Sequence, residues 1–130
     1  MRKKTTTRVS KIVKNRNANT MSESMFWSFI RASLRRRTIA WKPIQLCKQN
    51  SKRKYSGTNK RQRFEYKCNS CGLYFPEKEI NVDHILPAGS LKCSADLEGF
   101  INRLFCEVGG LQTLCSTCHD RKTLQEKQKK

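Results

Sequence analysis

Acidic residues are almost absent from the first half of this chain. Residues 1–63 contain one, Glu23, against 19 Lys and Arg, whereas residues 64–130 hold nine of each sign. The formal net charge of +18 therefore resides entirely in the first half. Basic tails can serve solubility alone, but an excess this large and one-sided points to a polyanion, with nucleic acid ahead of an anionic membrane surface. Apolar runs are also short: none approaches the roughly 18 residues of a membrane span. No signal-peptide pattern opens the chain, so it is expected to be soluble, cytoplasmic and not secreted. At 130 residues it has room for one modest domain plus tails.

What is present in quantity is cysteine. There are seven, at 47, 68, 71, 93, 106, 115 and 118. Four of them form two C-x-x-C pairs, Cys68/Cys71 and Cys115/Cys118. In a chain with no secretory signal this spacing argues for a metal rather than for disulfides. Two such pairs supply four thiolates, a closed tetrahedral set that holds structural zinc and leaves no coordination position open. A core this small is expected to need the staple. Cys47, Cys93 and Cys106 stand alone, and Cys106 reads as a small buried thiol on an apolar helix face.

Four regions separate along the chain. Residues 1–19 hold seven basic residues, no acid and no period, and read as a disordered basic arm. In residues 20–47, Thr20-x-x-Glu23 has the capping-box pattern, and Phe26, Trp27, Ile30 and Leu34 follow at helical spacing. Arg31, Arg35, Arg36 and Arg37 crowd the other side and the end of that helix as candidate phosphate contacts, and Trp41 and Pro43 are expected to close it. Residues 48–63 form a basic linker around Ser56-Gly57-Thr58-Asn59, with Lys52, Arg53, Lys54, Lys60, Arg61 and Arg63 as candidate phosphate contacts.

Residues 64–130 read as a folded domain. Phe64 to Gly72 is a short strand entering a metal knuckle, and Gly72 permits the tight turn. Ile80 to His84 alternates as a strand that Pro87 ends. Leu97, Phe100, Ile101, Leu104 and Phe105 mark a helix over 94–106 docked on a core. Leu111 to Leu114 is a second strand. Cys115 to His119 then turns into a final helix expected to fray after Leu124.

YKCNSCG, VDHILP and LQTLCSTCHDRKT, in that order, resemble an HNH endonuclease of the zinc-bound ββα-metal (His-Me finger) type, most like the small enzymes of phages. The resemblance covers about residues 60–124. It implies a small α+β fold: a ββα-metal core with a helical insert, stapled by a four-cysteine zinc site and preceded by a basic helix and basic arms. It implies His84 as general base, Asp83 and His119 as ligands of a catalytic Mg²⁺ or Mn²⁺, Cys68, Cys71, Cys115 and Cys118 as the zinc ligands, and double-stranded DNA as the partner, gripped by its backbone. RNA remains open, since phosphate contacts alone do not choose between sugars.

The residue chemistry is compatible. Phosphodiester hydrolysis needs a water deprotonated near neutral pH, a task suited to histidine. One carboxylate and one imidazole, with waters in the other positions, suit a single Mg²⁺ or Mn²⁺ better than a caged Ca²⁺. Lys122, one turn beyond His119, could touch a phosphate. Adjacent strand residues face opposite sides, so Asp83 and His84 can flank one phosphate only where the pleat ends.

One position departs from the family pattern. The family's asparagine, an orienter of the base or an extra ligand, falls on Gly110 here. Either Asn102 or Glu107 substitutes for it, or a backbone carbonyl holds the base, or activity is reduced or lost. The rival readings are a non-catalytic zinc-dependent nucleic-acid-binding protein and a basic structural protein of a ribonucleoprotein.

Overall fold

The computed structural model describes residues 12–128, so residues 1–11 of the expected arm and the last two residues lie outside it. Lys14–Arg16 forms strand β1, paired antiparallel with β2, Met21–Ser22. The end of the arm thus has a shape the composition did not suggest. Its cause is Glu23, which binds the Arg16 guanidinium through both carboxylate oxygens at 2.9 Å, while that guanidinium lies 4.3 Å from the Phe26 ring centroid.

Helix α1 spans Glu23–Arg37. Its cap is Ser22, whose Oγ accepts from the Met25 amide at 3.2 Å, and not Thr20, whose hydroxyl donates to the Asn17 carbonyl. Glu23, occupied by Arg16 and by the Trp27 indole N–H, does not close a capping box. Arg35, Arg36 and Arg37 fill the last turn, where the helix dipole favours cations. Trp41 and Pro43 do not simply end a helix, as expected. They begin another, α2, Lys42–Asn50, with Trp41 as its cap. Proline suits a first turn because its missing N–H would have had no helical partner there.

The basic linker is likewise partly structured. Lys52–Lys54 is strand β3, which pairs with β4, Phe64–Lys67, and β4 pairs with β5, Tyr74–Phe75, in a three-stranded sheet. Strand β6, Ile80–His84, and helix α3, Leu97–Leu104, follow. Strand β7, Leu111–Cys115, then pairs antiparallel with β6 in a register running from Ile80 opposite Cys115 to His84 opposite Leu111. Helix α4, Ser116–Gln128, leaves directly from β7 and stays helical beyond Leu124. The chain is a small mixed α/β fold with four cysteines brought close together.

Two clusters hold it. In the first, Trp27 of α1 packs with Ala88, Leu91, Phe100 and Leu104, flanked by Phe26, Ile30, Leu34, Leu97 and Phe105. The second is small: Cys68, Leu114, Cys115 and Cys118, with Phe75 against them. Burying Phe100 and Leu114 completely contributes on the order of 2–3 kcal/mol each. Helix α2 bridges the clusters, with Cys47 buried against Thr113 of β7 and the Trp41 indole donating to the Cys106 carbonyl at 2.7 Å. Cys106 lies just past the end of α3, half-buried rather than on its apolar face.

Candidate functional site

The first C-x-x-C pair sits on a turn built by main-chain bonds. The Cys68 amide donates to Leu73 O at 2.8 Å and the Gly72 amide returns to Cys68 O at 2.9 Å. Gly72 has φ +74°, a conformation that a side chain disfavours. Cys115 ends β7 and Cys118 lies in the first turn of α4, its amide directed at the Cys115 sulfur from 3.5 Å. An amide bond from Asn69 to Thr113 O, 2.8 Å, fastens the first turn to β7.

All four Sγ atoms lie within 4.8 Å of one another. A tetrahedral zinc with bonds of about 2.3 Å needs sulfurs about 3.8 Å apart, so the donor set and spacing fit such a metal. Cys68, Cys115 and Cys118 are buried and Cys71 is exposed. Burial opposes ionisation of Cys68, but backbone amides of Cys71, Cys115 and Ser70 outweigh it and draw the thiol down to about 6. Its neighbour Cys118 is pushed up to about 12, chiefly by its hydrogen bond to Cys115. Four thiolates cannot coexist in this volume unaided, and a divalent cation removes the conflict.

The second cluster is assembled across β6, β7 and α4. The Asp83 and His84 side chains leave β6 on opposite sides, as the pleat requires. Asp83 turns toward α4, where Oδ1 lies 3.8 Å from His119 Nε2. Its other oxygen, Oδ2, accepts from Lys122 Nζ at 2.8 Å and from Gln112 Nε2 at 3.2 Å. A divalent ion with bonds of about 2.1 Å holds adjacent ligand atoms about 3 Å apart, so Asp83 and His119 could share one after a modest side-chain rotation. His84 points toward the end of α3, where Nε2 is 2.7 Å from the Leu104 carbonyl oxygen. A carbonyl only accepts, so in the neutral ring Nε2 carries the proton and the Nδ1 lone pair is left free to take one.

Lys122 is the joint of this arrangement. Its ammonium meets the Asp83 carboxylate, the His84 carbonyl at 2.9 Å and Glu126, three acceptors for three N–H donors. Burial acts to lower it, but Asp83 and Glu126 more than offset that and hold the ammonium above its usual range. All three Lys122 donors are engaged within the protein, so the phosphate contact expected of it would have to displace one of these partners.

A cleft of about 610 Å³ brings Asp83, His84 and His119 together with Arg35 and Arg36 of α1 and Lys48 of α2. The other expected phosphate contacts divide. Arg37, Lys52, Lys54, Lys60, Arg61 and Arg63 are exposed. Lys52 also lies 3.8 Å from the Phe64 ring centroid. Arg31 is half-buried, its guanidinium 6.0 Å from the Phe100 ring centroid, and so turns toward the core. Arg53 pairs with Glu65 at 2.6 Å and stacks 3.2 Å from the Tyr74 ring centroid.

Gly110, where the resemblance to HNH enzymes leads one to expect an asparagine, has a local cause. A Cβ there would meet Cys106 Sγ at 2.9 Å, while Gly110 O accepts from the Ile85 amide. Neither Asn102 nor Glu107 is hydrogen-bonded to His84; the Leu104 carbonyl is. Sequence reasoning missed three further groups: Lys48, Gln112 and Asn69, whose side-chain amide donates to Gln112 Oε1 at 3.0 Å. The strand register, Asp83 opposite Gln112, is the signal that could have revealed Gln112.

No family model matches the chain, and no curated protein or solved structure matches it significantly. No helix among the described residues is long and apolar enough to cross a membrane.

Proposed function

We propose that the protein is a metal-dependent DNA endonuclease of the HNH, ββα-metal type, in which zinc on the four cysteines is structural. Strands β6 and β7 and helix α4 would form the ββα unit. Asp83 and His119 would hold one Mg²⁺ or Mn²⁺, and Arg35 and Arg36 would receive the phosphate backbone. The observation that carries this reading is the cleft in which an oriented histidine, a carboxylate, a second histidine and arginines converge.

In this reading the Leu104 carbonyl fixes His84 so that Nδ1 takes the proton from the attacking water, the general-base role. The water oxygen forms its bond to phosphorus as the bond to the leaving 3′ oxygen breaks. The divalent cation, when bound, neutralises charge on the phosphate and on that oxygen. Arg35 and Arg36, at the end of α1, place the scissile phosphate against the two histidines.

Incubating the zinc-loaded protein with supercoiled plasmid, with and without Mg²⁺ or Mn²⁺, tests the proposal. Nicking that requires the added ion and is lost in His84→Ala is expected. No cleavage under either ion would overturn it. One observation favours a second reading, a non-catalytic zinc-dependent nucleic-acid-binding protein: Lys122 already neutralises Asp83. That reading expects DNA binding whose affinity is indifferent to Asp83→Ala and His119→Ala.

A further inference from the structure

The two oxygens of Asp83 have unlike surroundings. Oδ2 receives two donors, the Lys122 ammonium and the Gln112 amide, whereas Oδ1 faces His119. The amide orientations are determined by the carboxylate. Asp83 offers only acceptors, so Gln112 must turn its NH₂ toward it and its Oε1 toward Asn69, whose NH₂ answers. Asn69 lies between Cys68 and Cys71, and its own amide is bonded to Thr113 O. A hydrogen-bond relay thus runs from the cysteine turn through Gln112 to the carboxylate. Lys122 secures the same oxygen from the opposite element, α4, and is itself anchored by Glu126.

We propose that Lys122 and Gln112 are positioning residues that restrict Asp83 to one-oxygen coordination through Oδ1, and so select small octahedral cations over Ca²⁺. This rests on the reading of Asp83 and His119 as a metal site. The physical basis is ligand demand. Ca²⁺ takes six to eight oxygens and readily accepts both oxygens of a carboxylate, while Mg²⁺ keeps about six ligands in near-ideal octahedral geometry and takes carboxylates singly. With Oδ2 held by a cation and an amide, the two-oxygen mode demands breaking both hydrogen bonds. A Ca²⁺ ion loses a favoured mode of binding and Mg²⁺ or Mn²⁺ loses nothing.

Charge and geometry separate in a ratio. Mn²⁺ binding to the zinc-loaded full chain is read by loss of the free-ion electron paramagnetic resonance signal, with Ca²⁺ as competitor. Both ions are divalent, so removing the ammonium strengthens both alike and cancels in the ratio of their affinities. Lys122→Met should shift that ratio toward Ca²⁺ by about tenfold, and Gln112→Met by less, since one donor remains. Zinc content and melting serve as folding controls, and Gln112→Met carries the test should Lys122→Met not fold. A ratio unmoved in the folded variants would overturn the selectivity role and leave the metal site standing. Mn²⁺ binding that Asp83→Ala does not diminish would overturn the metal site, and the selectivity role with it.

Discussion

The four-cysteine cluster and the Asp83–His119 cluster stand at opposite ends of the β6–β7 hairpin and differ in every respect that governs metal chemistry. The first gathers four like donors from two tight turns, three of them buried, with sulfurs mutually within 4.8 Å. The second offers one carboxylate oxygen and one imidazole nitrogen at the wall of a cleft, with His119 37 % exposed. A closed set of donors spends its binding energy on folding; an open one keeps coordination positions for other molecules. The hairpin register ties them together. Cys115 lies opposite Ile80 at one end and His84 lies opposite Leu111 at the other.

If that division is right, the largest effect belongs to the cysteines. Cys68→Ser or Cys115→Ser should abolish cooperative unfolding, since Cys68, Cys115 and Cys118 are most of the second cluster. Calorimetry, with metal analysis showing about one zinc per chain in the wild type, checks this, and a zinc-free protein that melts cooperatively would break the comparison. The open cluster should show the converse. His84→Ala should slow cleavage on the order of 10²–10⁴-fold while melting, zinc content and DNA affinity stay close to wild type. Asp83→Ala and His119→Ala should be partly restored by raised Mn²⁺, which a rate measurement across an Mn²⁺ series would detect.

Acid sharpens the contrast from the side of the cysteines. Cys68 is depressed to about 6 from its ordinary 9.0. A depressed acid stabilises the fold above its ordinary value and ceases to do so as pH falls through the lowered one. Cys68 should therefore contribute progressively less to the fold from about pH 9 down to about pH 6, and the zinc-loaded chain should lose its metal and its cooperative melting together below that range. Melting and zinc content measured together across pH would show it.

A smaller effect is expected at Gly110. Gly110→Asn should not improve catalysis and should cost about 1–3 kcal/mol, the range typical of overpacking, because its Cβ meets Cys106 Sγ. Denaturant unfolding should show Cys106→Gly recovering part of that loss. Smallest of all, removing residues 1–11, which carry five Lys and Arg, should weaken DNA binding. It should also flatten the salt dependence by up to about 0.9 for each phosphate that the shortened chain no longer neutralises. An unchanged slope would exclude that segment from the interface.

The closed cluster was the more legible in sequence because its ligands announce themselves by local spacing: two residues between cysteines, a glycine after the first pair, a strand before the second. Asp83, His84 and His119 were legible as types, and the structure does bring them to one cleft. Their supporting contacts were not. Gln112 reaches Asp83 only through strand register, and Leu104 serves His84 through its main chain, which leaves no trace in residue identity. The N-terminal half misled for a different reason. Pro43 is compatible with either end of a helix, and only the packing of α2 on β7 decides that it begins one. Lys122 and Arg53 were read by charge alone, whereas their partners Asp83 and Glu65 lie 39 and 12 positions away.

The carbonyl that orients His84 belongs to no side chain, and this changes what heredity can do to it. An asparagine in that office can be deleted by one nucleotide change. A peptide oxygen survives every substitution that leaves the backbone where it is. Leu104 is buried to 2 % exposure in the first cluster, so selection there acts on volume: Met or Ile should be accepted, and Ala rejected for the cavity it leaves. In a saturation mutagenesis experiment, position 104 would pass for ordinary core, although the atom it contributes faces the histidine.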